Sequence, residues 1–233
     1  MSARKYILSL SGGKDSTAML LRLLELGAPV DEIVYFDSGW EFPAMSKHID
    51  TLEQYIGRKI TRLHPRESFD YVLSSKPVTR RKKGDPMHGK VYRHGHGWPS
   101  MCRRWCTSSK CATIARHLPA DAVTYIGFAA DEQARSKGGL YPLQGWGWTE
   151  QKCLDFCRDK GFFFSGLYDH FSRVSCYRCP LKSLADFRTL RNFYPGLWQS
   201  MLSAANRIVS QQGRVFWHGK TLAELDAIFS SSP

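Results

Sequence analysis

The 233 residues carry 33 lysines and arginines against 21 aspartates and glutamates, a formal net charge of +12, with 42% hydrophobic and 13% aromatic residues. Such a chain buries a sizeable core, which argues against a disordered polymer and fits one α/β domain with a modest appendage. The positive excess points to a polyanionic partner or substrate. Met1 to Lys5 lacks an apolar signal segment, and no apolar run approaches the ~20 residues of a membrane span, so a cytoplasmic protein without a membrane partner is expected.

Tyr6-Ile7-Leu8 predicts a short buried strand, and Thr17 to Leu26 predicts a helix through Ala18, Met19, Leu20, Leu21, Leu23 and Leu24. Between them lies Ser9-Leu10-Ser11-Gly12-Gly13-Lys14-Asp15-Ser16. Gly12 and Gly13 allow a tight turn in which successive N–H groups face an anion. The helix adds the positive end of its dipole, and Lys14 adds a point charge. The stretch is therefore an expected phosphate cradle, with the Ser11 and Ser16 hydroxyls as further contacts. Its spacing is not that of a Walker A loop. Asp15 is a candidate for orienting a metal ion or for capping the helix.

Further on, Glu32 to Phe36 reads as a second strand ending at Asp37-Ser38-Gly39, Met45 to Ile56 as a helix closed by Gly57, and Ile60 to Leu63 as a third strand. Ser68 to Leu73 reads as a helix start. Residues 79–100 show no periodicity: Arg80, Arg81, Lys82 and Lys83 form a charge block, with Tyr92, His94, His96 and Trp98 interleaved among glycines. This basic stretch is expected as a flexible loop, either gripping a polyanion or simply solvated. Trp105 to His117 resumes as a helix and Ala122 to Phe128 as a fourth strand. A helix capped by Thr149 follows, then a last strand at Phe162-Phe163-Phe164 and a helical remainder. Strand-helix alternation predicts a doubly wound parallel sheet over 1–165 with a helical C-terminal part over 166–233. In such sheets ligands bind at the carboxyl ends of strands, which draws the Gly12 loop, Asp37 to Gly39 and Gly127 to Arg135 toward one crevice.

Seven cysteines in a reducing compartment suggest metal or catalytic use rather than disulfides. Cys176-Tyr177-Arg178-Cys179 is a C-x-x-C that suits a zinc or an iron–sulfur half-site. A joint site with Cys106 is the economical reading, with Cys102 or Cys111 as candidate fourth ligand. Cys153 and Cys157, one helical turn apart in an apolar stripe, read as small buried hydrophobes.

Ser11 to Ser16 resembles the SGGxDS signature of the PP-loop ATP pyrophosphatases. Phe36-Asp37-Ser38-Gly39 with Phe42-Pro43, Trp105-Cys106-Thr107 with Lys110, Gly127 with Asp131-Glu132 and Arg135, and Cys176 to Leu181 extend the likeness. Over most of its length the chain is similar to the phosphoadenosine phosphosulfate (PAPS) reductase family of that superfamily. The resemblance implies a fold of the adenine nucleotide α-hydrolase (HUP) type, ATP with Mg²⁺, and a [4Fe–4S] cluster on Cys106, Cys176 and Cys179, with zinc as the alternative. It also implies that Asp37 and Gly39 border the adenosine, that Gly127 lines the nucleotide site, and that Arg135 meets a phosphate or sulfate. Two departures stand out. Trp105 occupies the first position of the family's Cys-Cys pair, and Val215 to Pro233 contains no cysteine, so the usual thiol attack on sulfur has no nucleophile there. The expected function is therefore ATP-dependent sulfur chemistry, with Lys14 and Asp15 at the reacting centre: an acceptor is adenylylated with release of pyrophosphate, and the cluster takes part in sulfur transfer. A PAPS or adenylyl-sulfate reductase is one alternative. A nucleotide- and nucleic-acid-binding subunit with a structural cluster is the other, and tRNA or DNA are candidate acceptors.

Overall fold

The structure of the chain, a computed structural model, describes residues 4–80, 82–135 and 139–231, apart from the side chains of 133–135 and 211–212. Arg81 of the charge block and the Arg135 side chain lie outside the described residues. In chain order the elements begin with β1 (Tyr6–Leu10), α1 (Lys14–Glu25), β2 (Glu32–Phe36), α2 (Pro43–Ile56), β3 (Thr61–Leu63) and α3 (Phe69–Ser74). Next come β4 (Pro77–Thr79), β5 (Val91–His94), α4 (Trp105–His117), β6 (Val123–Ile126), α5 (Pro142–Gly145), α6 (Glu150–Asp159) and α7 (Leu167–His170). The chain ends with α8 (Leu184–Phe193), α9 (Pro195–Asn206), α10 (Gln211–Arg214), β7 (Val215–Trp217), β8 (Lys220–Thr221) and α11 (Leu222–Ser231). Among the described residues no helix is long and apolar enough to cross a membrane.

The fold is α/β: a parallel four-stranded sheet flanked by helices, with more helices toward the C-terminus. The contacts divide the chain into two interleaved units, one of residues 1–37, 41–64 and 111–174, the other of 38–40, 65–110 and 175–233.

The first unit holds the parallel sheet, in the order β3-β2-β1-β6. Leu8 lies opposite Ile33 on one side and Tyr125 on the other. Strands covered on both faces must be apolar almost throughout, and Ile7, Leu8, Ile33, Val34, Tyr35 and Phe36 are all buried. α1 sets Ala18, Met19, Leu20, Leu21 and Leu23 into this core. It ends in a Schellman motif: Ala28 N donates to Leu23 O and Gly27 N to Leu24 O, with Gly27 at φ +64°. The expected strand at Phe162–Phe164 is absent. Phe162 and Phe164 are buried against the His48 ring, at 5.5 and 4.4 Å between centroids. Phe164 and Ser165 take φ near +50°, a left-handed backbone that ends any extended run and opens a short 3₁₀ turn before α7.

In the second unit, the stretch expected as a loop over 79–100 carries β5, paired antiparallel with β4 around a bulge. Its glycines allow close backbone crossings: a Cβ on Gly97 would sit 2.2 Å from Gly213 Cα, and one on Gly95 would sit 2.5 Å from Leu73 O. An aromatic cluster anchors the unit. Trp40 meets Phe69 edge-on at 5.3 Å and Trp105 at 5.6 Å, and Trp98 meets Phe216 at 4.9 Å. Ser183 and Asp186 form a capping box on α8.

Candidate functional site

Residues 11–16 turn from the carboxyl end of β1 into α1, as the pattern of a short apolar strand, two glycines and an apolar-faced helix dictates. Gly12 has φ +82°, and a Cβ there would lie 2.9 Å from Met45 Cε. Gly127, just past β6, is tighter: its Cβ would lie 2.8 Å from Ser16 Cα and 3.0 Å from Ser16 N. The carboxyl ends of β1 and β6 thus meet at the loop, and Asp37 follows directly on β2 in the same sheet, its N–H donating to Leu63 O at 2.8 Å. Gly39, at φ +75°, belongs to the second unit.

The loop is braced by its own side chains. Ser11 N donates to Ser16 Oγ at 3.1 Å, the two hydroxyls lie 2.8 Å apart, and Ser16 Oγ donates to Gly13 O at 3.2 Å. Lys14 N donates to Tyr168 Oη at 2.8 Å. The Lys14 side chain is only 5% exposed; its ammonium lies 2.5 Å from Glu150 Oε2, 3.8 Å from Asp15 Oδ2 and 5.2 Å from the centre of the Tyr168 ring. The lysine charge therefore sits within the protein rather than on a solvent-facing arm. Glu150 begins α6, whose cap Thr149 accepts from Lys152 N. Neither Glu150 nor Tyr168 is legible as part of the site from sequence, because both reach it from far along the chain.

Asp15 is the electrostatically unusual group. Burial pushes its carboxyl up to about 6 against the opposing pull of Lys14, and Glu150 and Glu132 add to the rise. Its Oδ1 is buried without a hydrogen-bond partner. A buried carboxylate oxygen with no donor is costly unless a proton or a cation reaches it. Beside it α6 packs two thiols, and the Asp15 carboxyl interacts with that of Cys153, a weak donor. Cys157 Sγ donates to Lys14 O at 3.4 Å, and burial pushes both thiols up, Cys153 to about 12. Both behave as inert core residues, as their spacing suggests. These groups fit a phosphate ligand carrying a divalent cation: the loop supplies amides and hydroxyls, and Asp15 an unsatisfied carboxylate oxygen.

The second unit contains Cys102, Cys106, Cys176 and Cys179, while Cys111 falls in the first. Cys176 Sγ lies 3.8 Å from Ser38 Oγ. Cys179 is raised mainly by burial, lowered by Lys182 and raised further by the charge of Cys106, so these two thiols lie within electrostatic reach. Among the described residues, however, no group of three or more His, Cys, Asp or Glu side chains is placed to hold a metal ion. The donors have the right chemistry for zinc or iron–sulfur, but among the described residues they are not assembled into a set. Trp105 is a member of the aromatic cluster, its Nε1 donating to Gly97 O at 3.1 Å.

Two uncharacterized proteins of Methanocaldococcus jannaschii are similar to the chain. MJ0066 is 24% identical over 216 residues, 84% of this chain and 40% of that protein. MJ0973 is 21% identical over 235 residues, 92% of this chain and 51% of that protein. The chain thus spans about half the length, or less, of these curated relatives. Among solved structures, the U34-tRNA thiolase NcsA from Methanococcus maripaludis with its [4Fe-4S] cluster aligns with 100% of this chain and 75% of its own, at 15% identity and a TM-score of 0.40. The family model of the phosphoadenosine phosphosulfate reductase domain matches residues 5–182, the span that includes the glycine loop, the parallel sheet and the C-x-x-C. The chain belongs to that family.

Proposed function

We propose that the chain binds ATP on the loop 11–16 and uses it to adenylylate an acceptor oxygen, releasing pyrophosphate, as the activating half of a sulfur-transfer reaction. The observation that supports this best is Asp15, a buried carboxylate with an unpartnered oxygen and a pKa raised to about 6 at the start of a glycine-loop helix. In this reading Asp15 Oδ1 holds Mg²⁺, which neutralises phosphate charge when bound. Gly12 and Gly13 offer amide N–H groups, Ser11 and Ser16 their hydroxyls, and the buried Lys14 ammonium adds positive field from beneath the loop. Asp37 and Gly127, at the carboxyl ends of neighbouring strands, border the nucleotide. The acceptor oxygen attacks the α-phosphorus and gives up its proton. The bond from that phosphorus to the oxygen bridging to the β-phosphate breaks, and its electrons leave with pyrophosphate. Activation of this kind makes the acceptor oxygen a leaving group that a sulfur nucleophile can replace. We propose Cys106, Cys176 and Cys179, with Cys102 as candidate fourth, as ligands of an iron–sulfur cluster or zinc, and a nucleic acid as acceptor.

The alternative is a nucleotide- and nucleic-acid-binding subunit. The observation in its favour is the Lys14–Glu150 pair, which satisfies the lysine charge inside the protein.

Pyrophosphate release from ATP with candidate acceptors is the test. Turnover that falls by about 10²–10³ in Lys14→Met, as loss of a transition-state cation does elsewhere, supports adenylylation. ATP binding without pyrophosphate release in any acceptor mixture would overturn it in favour of the binding subunit. Release of sulfite from PAPS would overturn it in favour of a reductase.

A further inference from the structure

The second unit contains a cavity of about 550 Å³ that the nucleotide loop does not use. β5 lines it with Tyr92, Arg93 and His94, the end of α3 with Ser74 and Ser75, and the segment after α9 with Arg207. Its chemistry is that of an anion site. Arg93 Nε is buried and has no hydrogen-bond partner, and an unpaired buried guanidinium N–H calls for an acceptor that the protein does not provide. Arg207 is only partly neutralised: its Nη2 lies 3.2 Å from Asp70 Oδ1, and that same carboxylate oxygen also pairs with Arg178. One carboxylate between two guanidiniums leaves the rim positive. Ser75 Oγ lies 3.0 Å from Ser74 Oγ, and both residues line the cavity, which adds hydroxyls to it.

A single small anion would satisfy Arg93, but the surroundings suit a polymer. Tyr92 is 41% exposed at the mouth, with the Arg80 guanidinium 4.3 Å and that of Arg93 5.5 Å from its ring centre. An exposed aromatic ring with guanidiniums nearby offers a nucleobase both a stacking surface and positive charge. Between β4 and β5, Lys82, Lys83 and Lys90 are exposed, cations with which neighbouring phosphates can pair.

We infer that this cavity binds a backbone phosphate of a single-stranded nucleic acid, with Arg93 and Arg207 on the phosphate and Tyr92 against an adjacent base. The inference deepens the proposed function by locating the acceptor's binding surface, and it rests on the acceptor being a nucleic acid.

The probe is a fluorescent single-stranded RNA of about 16 nucleotides, its binding to the full chain followed by anisotropy. At about 50 mM salt, Arg93→Gln and Arg207→Gln are each expected to weaken binding about tenfold and to lower the slope of log K against log salt by about 1. Lys220→Gln, an equal loss of charge on the exposed start of β8, is expected to change affinity less than about twofold. If Arg93→Gln fails to fold, Tyr92→Ala carries the same test, since truncating an exposed ring leaves the core intact; it should cost about tenfold by loss of stacking. Wild-type affinity in the arginine variants, or an equal loss in Lys220→Gln, would overturn the assignment. So would complete displacement of the RNA by millimolar inorganic phosphate, which would mark a small-anion site. Pyrophosphate release is read separately: RNA binding without it sinks the adenylylation reading and leaves this site standing, whereas release without salt-dependent RNA binding sinks this site alone.

Discussion

Asp15 and His48 tilt stability against pH in opposite directions, and the consequences can be separated. The folded Asp15 carboxyl titrates near 6 rather than 3.8 because burial disfavours its charge. Between those values the folded chain holds the proton more tightly than the unfolded one, so stability falls as pH rises and the full cost, about 3 kcal/mol, is present above pH 6. His48 lies buried with Nε2 3.0 Å from Thr17 Oγ1, and burial lowers it to about 4 from 6.5. Its contribution is present above 6.5 and is lost as pH falls toward 4. The two slopes offset one another in the wild type over much of that window. Asp15→Asn is expected to raise Tm at pH 7.5 by several degrees, since each kcal/mol moves a chain of this size by about 2–4 °C. The variant should converge with the wild type near pH 4 and show the steeper acid destabilisation of His48 unmasked. Mg²⁺ with ATP should raise the wild-type Tm at pH 7.5 and leave Asp15→Asn nearly unmoved. A variant less stable than wild type at pH 7.5 would sink the account of Asp15 as a strained carboxylate awaiting a cation.

At the scale of elements, the loop is held by close approach of backbone to backbone. A methyl on Gly127 would press on Ser16 Cα and N, neither of which can swing away as a flexible side chain could. Gly127→Ala is expected to displace the start of α1, cost about 1–3 kcal/mol in denaturant melts and weaken ATP binding together with stability. Gly145→Ala on α5, where an added Cβ meets nothing within 4 Å, should be neutral or stabilising by up to about 1 kcal/mol. Equal losses in both variants would refute a steric cause. Legibility from sequence follows the same physics. β1 and β2 were readable because a strand covered on both faces must be a continuous apolar run, and α1 because its apolar face repeats with helical period. β4 and β5 were not: they are short, largely exposed and bulged, so no alternation of apolar and polar residues marks them. Phe162 to Phe164 has strand composition, but its rings are fixed by His48 across the unit and its backbone turns left-handed at Phe164, which no local pattern announces.

For the whole molecule, the divide between what the chain shows and what it hides is sequence distance. Ser11 to Ser16 is one contiguous motif and reads directly, whereas its partners Glu150 and Tyr168 lie 136 and 154 positions from Lys14. The thiols pose the same problem at larger scale, since Cys106 and the C-x-x-C come from remote segments and, among the described residues, do not form a metal-holding group. Cofactor content decides their role. Purified without oxygen, the proposed cluster gives roughly four iron and four sulfide per chain, and the zinc alternative one zinc. Cys106→Ser should lower that content severalfold, whereas Cys153→Ser, at a buried inert thiol of α6, should leave it unchanged. Because the ligands must lose protons and burial holds the Cys179 thiol above its ordinary range, reconstitution should also fall off as pH drops from 8 to about 6. A chain that carries neither metal, and whose content does not respond to Cys106→Ser, would remove the thiols from the chemistry and leave adenylylation to stand or fall on pyrophosphate release alone.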